Sequence, residues 1–201
     1  MQLNPSSASS SPPILESLRD FPVADGLCPR RPRMQLDLLL LAIEALDLSG
    51  SEAILVMARE LELQSIIPDR VNLWRLRSTN SLRRSSQRQP MTLVEAKALT
   101  VILCYLARRL TVVVRQLLLS YHKLLEEQKP PTEDFYLATY LQRFRSHFRA
   151  RMNPRRAAAI GYESDEQLNQ LGMGLLEQIL FCTGTSGMQR LWTSLFDGEV
   201  A

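Results

Sequence analysis

Apolar side chains recur every three or four positions along most of this chain, and strict alternation never lasts more than a few residues. That pattern predicts helices and no strand. The stretch "MQLDLLLLAIEALDL" from Met34 is apolar almost all round, the mark of a helix buried on every side. "SGSEAILVMARELEL" follows, with Ser49 and Glu52 spaced as a capping box that starts a second helix. Pro68 suits the first turn of a third, "PDRVNLWRLRSTN", and "SLRRSSQRQP" reads as a loop. The longest signal is "MTLVEAKALTVILCYLARRLTVVVRQLLLSYHKLLEEQ". Thr92 and Glu95 cap its start, and no Gly or Pro appears before Pro130. It is either one helix of roughly nine to ten turns or two helices that break near Thr111.

Further on, "PPTEDFYLATYLQRFRSHFRARMNP" opens with a cap at Thr132 and gathers arginines toward its end, a polarity that matches the helix dipole. Ser164 and Gln167 form a third capping box ahead of "DEQLNQLGMGLLEQILFCTG", which Gly184 is expected to terminate, with Ser186 as the next N-cap. A short last helix, "GMQRLWTSLFDG", ends at Gly198. Residues 1–33 are rich in Ser and Pro, with Pro12, Pro13, Pro22, Pro29 and Pro32 opposing a long helix, so they read as a disordered tail. The expected fold is all-α: a single-domain bundle of six to eight helices over residues 34–198, with a long central helix and no sheet.

Composition changes this picture little. At 201 residues there is room for one real core, and 45% apolar with 22% charged residues is ordinary for a globular domain. The net charge of +3 gives no global attraction to nucleic acid or membrane. The basic set is lopsided, because arginines number 21 against the three lysines Lys97, Lys123 and Lys129. Either the planar guanidinium fork is wanted for phosphate or carboxylate, or the bias reflects codon usage. Cys28, Cys104 and Cys182 lie far apart with no paired spacing, which fits a reducing compartment. The N-terminus lacks the basic and apolar regions of a secretory signal. The apolar stretch from Leu99 is broken by Arg108, Arg109 and Arg115, so no membrane span is expected and the cytoplasm is the expected location.

Candidate chemistry is sparse. His122 and His147 are the only histidines, and neither has metal-ligand spacing; His122 with Glu126 reads as a surface ion pair. "GMG" at 172–174 falls inside a helix rather than after a strand, and "TGTSG" at 183–187 lacks the ending of a P-loop. No nucleophile, base and oxyanion set can be assembled, so the expectation is a protein that is not an enzyme and holds no cofactor or metal. One polar pattern stands out. Arg108, Arg115 and His122 recur at seven-residue spacing on an apolar helix, and Asp37 and Glu44 repeat that spacing on the first helix. The two lines either face each other as a buried ion-pair ladder or each face solvent.

Twelve of the 21 arginines fall in two short segments. The first holds Arg70, Arg75, Arg77, Arg83, Arg84 and Arg88 around Trp74; the second holds Arg143, Arg145, Arg149, Arg151, Arg155 and Arg156 around Phe144, His147 and Phe148. Arginine interleaved with aromatics suits single-stranded nucleic acid. Tyr140, Phe144 and Phe148 are spaced by four, however, which turns the rings into the core and leaves arginine alone outside. Trp74 and Trp192 are expected to pack inside. The reading is therefore an interaction or adaptor protein that binds an acidic partner protein through Arg75, Arg77, Arg83, Arg84, Arg88, Arg149, Arg151, Arg155 and Arg156. An RNA- or DNA-binding accessory protein using the same arginines is the alternative.

The segments "LDLLLLAIEALDLSGSEAILVMARELEL", "RVNLWRLRSTNSLRR", "TLVEAKALTVILCYLARRLT" and "TGTSGMQRLWTSLFDG" resemble an uncharacterised family of cyanobacterial proteins, classed only as a domain of unknown function. The resemblance covers roughly residues 34–198. It implies a single helical domain in a cyanobacterial cytoplasm and brings no activity, cofactor or site residue.

Overall fold

The computed structural model describes residues 26, 28, 30–46, 50–67, 91–152 and 154–196. Within them the chain forms α1 (Arg30–Leu46), α2 (Gly50–Glu60), α3 (Leu93–Glu126), α4 (Phe135–Arg151), α5 (Pro154–Ala159), α6 (Asp165–Phe181) and α7 (Gly184–Phe196), with a 3-10 turn at Pro131–Glu133. The domain is all-α. The described residues hold no sheet, only a single bridge where the Cys28 N–H donates to the Met91 carbonyl at 2.7 Å and the Leu93 N–H to the Gly26 carbonyl at 3.0 Å.

α3 is one continuous helix of 34 residues, so the break near Thr111 does not occur. Its start is the predicted capping box: the Thr92 hydroxyl accepts from the Glu95 N–H, and the Glu95 carboxylate accepts from the Thr92 N–H. Thr111 stays helical by donating its hydroxyl to the Ala107 carbonyl at 3.0 Å. The helix stops where Gln128 turns left-handed (φ 54°) and the Lys129 N–H reaches back to the Leu124 carbonyl at 2.8 Å. The first half of α3 is the centre of the domain. Leu99, Val101 and Ile102 are fully buried, and α1, α2, α6 and α7 all pack against α3. Thr100 is buried too, its hydroxyl satisfied by the Ala96 carbonyl at 2.8 Å.

α1 is buried on all sides from Leu36 to Ala45, as its unbroken apolar run predicts. It begins at Arg30, four residues before the expected start, and accommodates Pro32 because the first-turn N–H groups have no helical partner to lose. Two caps differ from expectation. α4 is capped by Asp134, whose carboxylate accepts from the Leu137 N–H at 2.9 Å; Thr132 lies instead in the 3-10 turn that the two prolines impose. Gly184 does not end α6, which closes at Phe181, but opens α7. The tight α6–α7 connection depends on Gly187, where a Cβ would lie 2.6 Å from the Cys182 carbonyl carbon. α5 is a short helix that the pattern did not predict; its end is a left-handed Gly161 (φ 78°). The Ser164–Gln167 capping box is present as expected. The predicted third helix, the 81–90 loop, residues 1–25 of the N-terminal tail, Ser49 and Gly198 lie outside the described residues.

The second arginine segment is anchored by its rings. Tyr140, Phe144, Phe148 and Tyr162 follow one another with ring centroids 6.3, 6.3 and 6.2 Å apart. The first three are buried. Gly172 of α6 lets this column approach, since a Cβ there would sit 3.0 Å from the Phe144 ring. The Gly172 carbonyl accepts from the Tyr140 hydroxyl at 2.8 Å, and burial raises that phenol's pKa. Trp192 is buried on α7 with its ring 4.2 Å from Phe196 and the Lys97 ammonium 5.8 Å from its centroid.

Candidate interaction surface

The described arginines of the second segment are largely committed inside the domain. Arg145 donates to the Asn169 side chain at 2.5 Å and lies 3.5 Å from Asp165, while Arg149 donates to the same Asp165. The Arg149 guanidinium, helped by Arg145, holds the Asp165 carboxyl below the usual range. These contacts tie α4 to the first turn of α6. Arg151, from the last turn of α4, pairs with the buried Glu44 of α1 at 2.7 Å. Arg155 is exposed on α5, and the side chain of Arg156 is outside the described set, as are Arg75, Arg77, Arg83, Arg84 and Arg88. Phe144 and Phe148 are buried, so neither of these rings is open for a base to stack on.

The two polar lines do not meet. Asp37 and Glu44 are buried in the α1 packing, whereas Arg108, Arg115 and His122 are all exposed. Glu44 of α1 finds a cation on α4, 107 residues away, rather than on α3. The physical reason is which helices touch which face. α4 closes on the C-terminal end of α1, while the Arg108–His122 line looks away from everything α3 packs against.

That outward line is where the surface becomes unusual. Among the buried residues of α3, the second half contributes only Val114, Leu117, Leu118 and Leu124. On the other side Val112 and Leu119 stand 67% and 70% exposed, interleaved with Arg108, Arg115 and His122. At the tip of the α3–α4 hairpin Phe135 and Tyr136 are both 76% exposed. The tip is held in shape by Asp134, which accepts from the Ser120 hydroxyl at 2.8 Å in addition to capping α4. Those bonds, from the Leu137 N–H first and Ser120 second, keep the Asp134 carboxyl below its ordinary range. Isolated exposed apolar residues are commonplace, but here they line one helix between exposed arginines.

Elsewhere the described residues offer little chemistry. No group of three or more His, Cys, Asp or Glu among them is placed to hold a metal ion. Cys28, Cys104 and Cys182 are buried free thiols. The side-chain hydrogen bond from Cys104 to Cys182, with burial, pushes the Cys104 thiol well above its ordinary range, while the same bond lowers that of the buried Cys182. A cleft of about 490 Å³ between the α5–α6 turn and α6 is lined by Tyr162, Gln167, Gln170 and Gln178. The Gln167 amide oxygen is already engaged by the Glu163 and Ser164 N–H groups. No helix of the described residues is long and apolar enough to cross a membrane.

A family model described as "Protein of unknown function (DUF3038)" matches residues 29–197. The chain belongs to this family. The DUF3038 match runs from just before α1 to just past α7, so it takes in both the packed core and the exposed half of α3. No curated protein and no solved structure matches the chain.

Proposed function

We propose that this DUF3038 protein is a non-enzymatic interaction protein whose binding face is the outer side of the second half of α3. That face suits a protein surface combining carboxylates with apolar side chains. The observation that carries the reading is the exposure of Val112, between Arg108 and Arg115, and of Leu119, between Arg115 and His122. Burying two such side chains contributes about 1.5–3 kcal/mol each, and the guanidinium groups beside them select an acidic partner. By charge alone Arg75, Arg77, Arg83, Arg84, Arg88, Arg155 and Arg156 extend the basic set, while Arg149 and Arg151 contribute less because Asp165 and Glu44 already hold them. The resemblance noted above and three buried free thiols support a cyanobacterial cytoplasm as its setting. Nucleic acid is the weaker reading. Phe144 and Phe148 of the second arginine segment are buried, and the exposed Phe135 and Tyr136 stand beside Glu133 and Asp134, which repel phosphate.

Affinity purification with the wild-type chain and with Leu119→Glu tests this. A stoichiometric protein recovered by the wild type and lost by Leu119→Glu is expected. Recovery of nucleic acid without protein, falling steeply with salt, overturns the reading in favour of phosphate binding.

A further inference from the structure

We infer that the outer face of α3 pairs with the same face of a second copy of the chain, antiparallel, about a two-fold axis beside residue 117. The inference rests on the binding-face reading above and adds a second copy, with Glu126 as its carboxylate, as one occupant of that face. At 3.6 residues per turn, Arg108, Val112, Arg115, Leu119, His122 and Glu126 fall in one stripe, opposite the buried Val114, Leu117 and Leu124. All six are exposed. The stripe spans about 27 Å at 1.5 Å per residue.

Its order makes it complementary to itself in one direction only. Reversed about position 117, Arg108 of one copy meets Glu126 of the other, Val112 meets His122, and Arg115 lays its aliphatic stem along Leu119. A symmetric parallel pairing would set Arg108 and Arg115 against their own counterparts, and like charges in that position oppose association. The same polarity holds for the whole hairpin. Residues 105–120 contain Arg108, Arg109 and Arg115 and no acid, whereas residues 121–136 contain Glu126, Glu127, Glu133 and Asp134 against Lys123 and Lys129. Internal pairs engage Arg109 with Glu60, and Glu127 with Lys129 and Lys123. Among the described residues Arg108, Arg115 and Glu126 take part in no ion pair, so the charges that define the antiparallel register remain available. The antiparallel arrangement also brings the acidic tip, with Phe135 and Tyr136, toward the basic half of the second copy.

Sedimentation equilibrium of the full chain at low salt tests the pairing through a charge swap. The wild type is expected to sediment as a dimer. Arg108→Glu or Glu126→Arg alone is expected to weaken association about tenfold or more, because symmetry makes each change count twice. Arg108→Glu combined with Glu126→Arg is expected to restore it. A wild type that stays monomeric to about 100 μM overturns the inference, as do single variants that associate like the wild type or a double variant no better than either. The binding-face reading fails separately: it is overturned if Leu119→Glu leaves the capture of a protein partner intact, whatever the state of self-association.

Discussion

The two halves of α3 belong to one unbroken helix and are both rich in Leu and Val, yet they live in different surroundings. Residues 93–107 hold most of the helix's buried side chains, with Leu99 and Ile102 fully buried. Residues 108–126 bury one side only and leave Leu119 70% exposed. What separates them is the polar line. No arginine occurs in the first half, while Arg108, Arg115 and His122 recur every seven residues in the second and hold that face out of the core. Apolar content therefore sets the helix, and the charges set which face it buries. The apolar residues caught on the charged face are the ones with no structural use inside the domain.

Substitution at matched leucines gives the largest contrast between the halves. Leu99→Ala is expected to cost about 2–5 kcal/mol, since it opens a cavity where the helix is enclosed. Leu119→Ala is expected to change the stability of the monomer, measured at dilution, by no more than about 0.5 kcal/mol. Urea denaturation of both variants measures the difference, and similar losses at the two sites would mean that the second half is packed after all.

The next effect concerns the arginines of α4, which divide in the same manner between inside and outside. Arg151→Ala removes one ion-pair partner of the buried Glu44 carboxylate, for an expected loss of about 1–3 kcal/mol. Adding Glu44→Gln should recover part of that loss. Arg149→Ala breaks an exposed pair and is expected to leave the midpoint unchanged within error. A double-mutant cycle that finds no coupling between Glu44 and Arg151 would remove the internal role assigned to Arg151.

The smallest effect lies at the hairpin tip. Asp134→Ala removes an N-cap at a cost of about 1 kcal/mol. Because its folded pKa lies below the unfolded value of about 3.9, the Asp134 contribution is fully present above that pH and is lost as pH falls through the folded value. Asp134→Asn caps nearly as well but gains no proton, so its melting temperature should fall less than that of the wild type as pH drops below about 4. Parallel acid profiles for the two proteins would show that the carboxylate bonds at the tip contribute nothing in solution.

How much of this was legible in the sequence depends on the reach of each signal. The Thr92–Glu95 and Ser164–Gln167 caps span one helical turn, and residues three apart specify them completely. The buried α1 and the ring column at Tyr140, Phe144 and Phe148 follow from spacing within a single helix. Local chemistry was ambiguous at the start of α4, where Thr132 and Asp134 both make good caps and the prolines decide between them. The left-handed residues that close α2 and α3, Glu62 and Gln128, are not glycine and carry no compositional mark. The Glu44–Arg151 pair was out of reach for a different reason. Charge spacing identifies a line of polar residues, but only the packing of α4 on α1 determines which line answers it. The exposed stripe on α3 was visible as a pattern, with its orientation open until the neighbours of the helix were known.

The difference between the halves of α3 is tested most directly by reading one variant in two ways, with thermal melting and sedimentation equilibrium on Leu119→Glu beside the wild type. A fall from dimer to monomer mass, with a melting temperature equal to that of the wild type diluted until it is monomeric, is the predicted result. A lowered melting temperature with unchanged mass would contradict it, by placing Leu119 in the fold rather than on a contact surface.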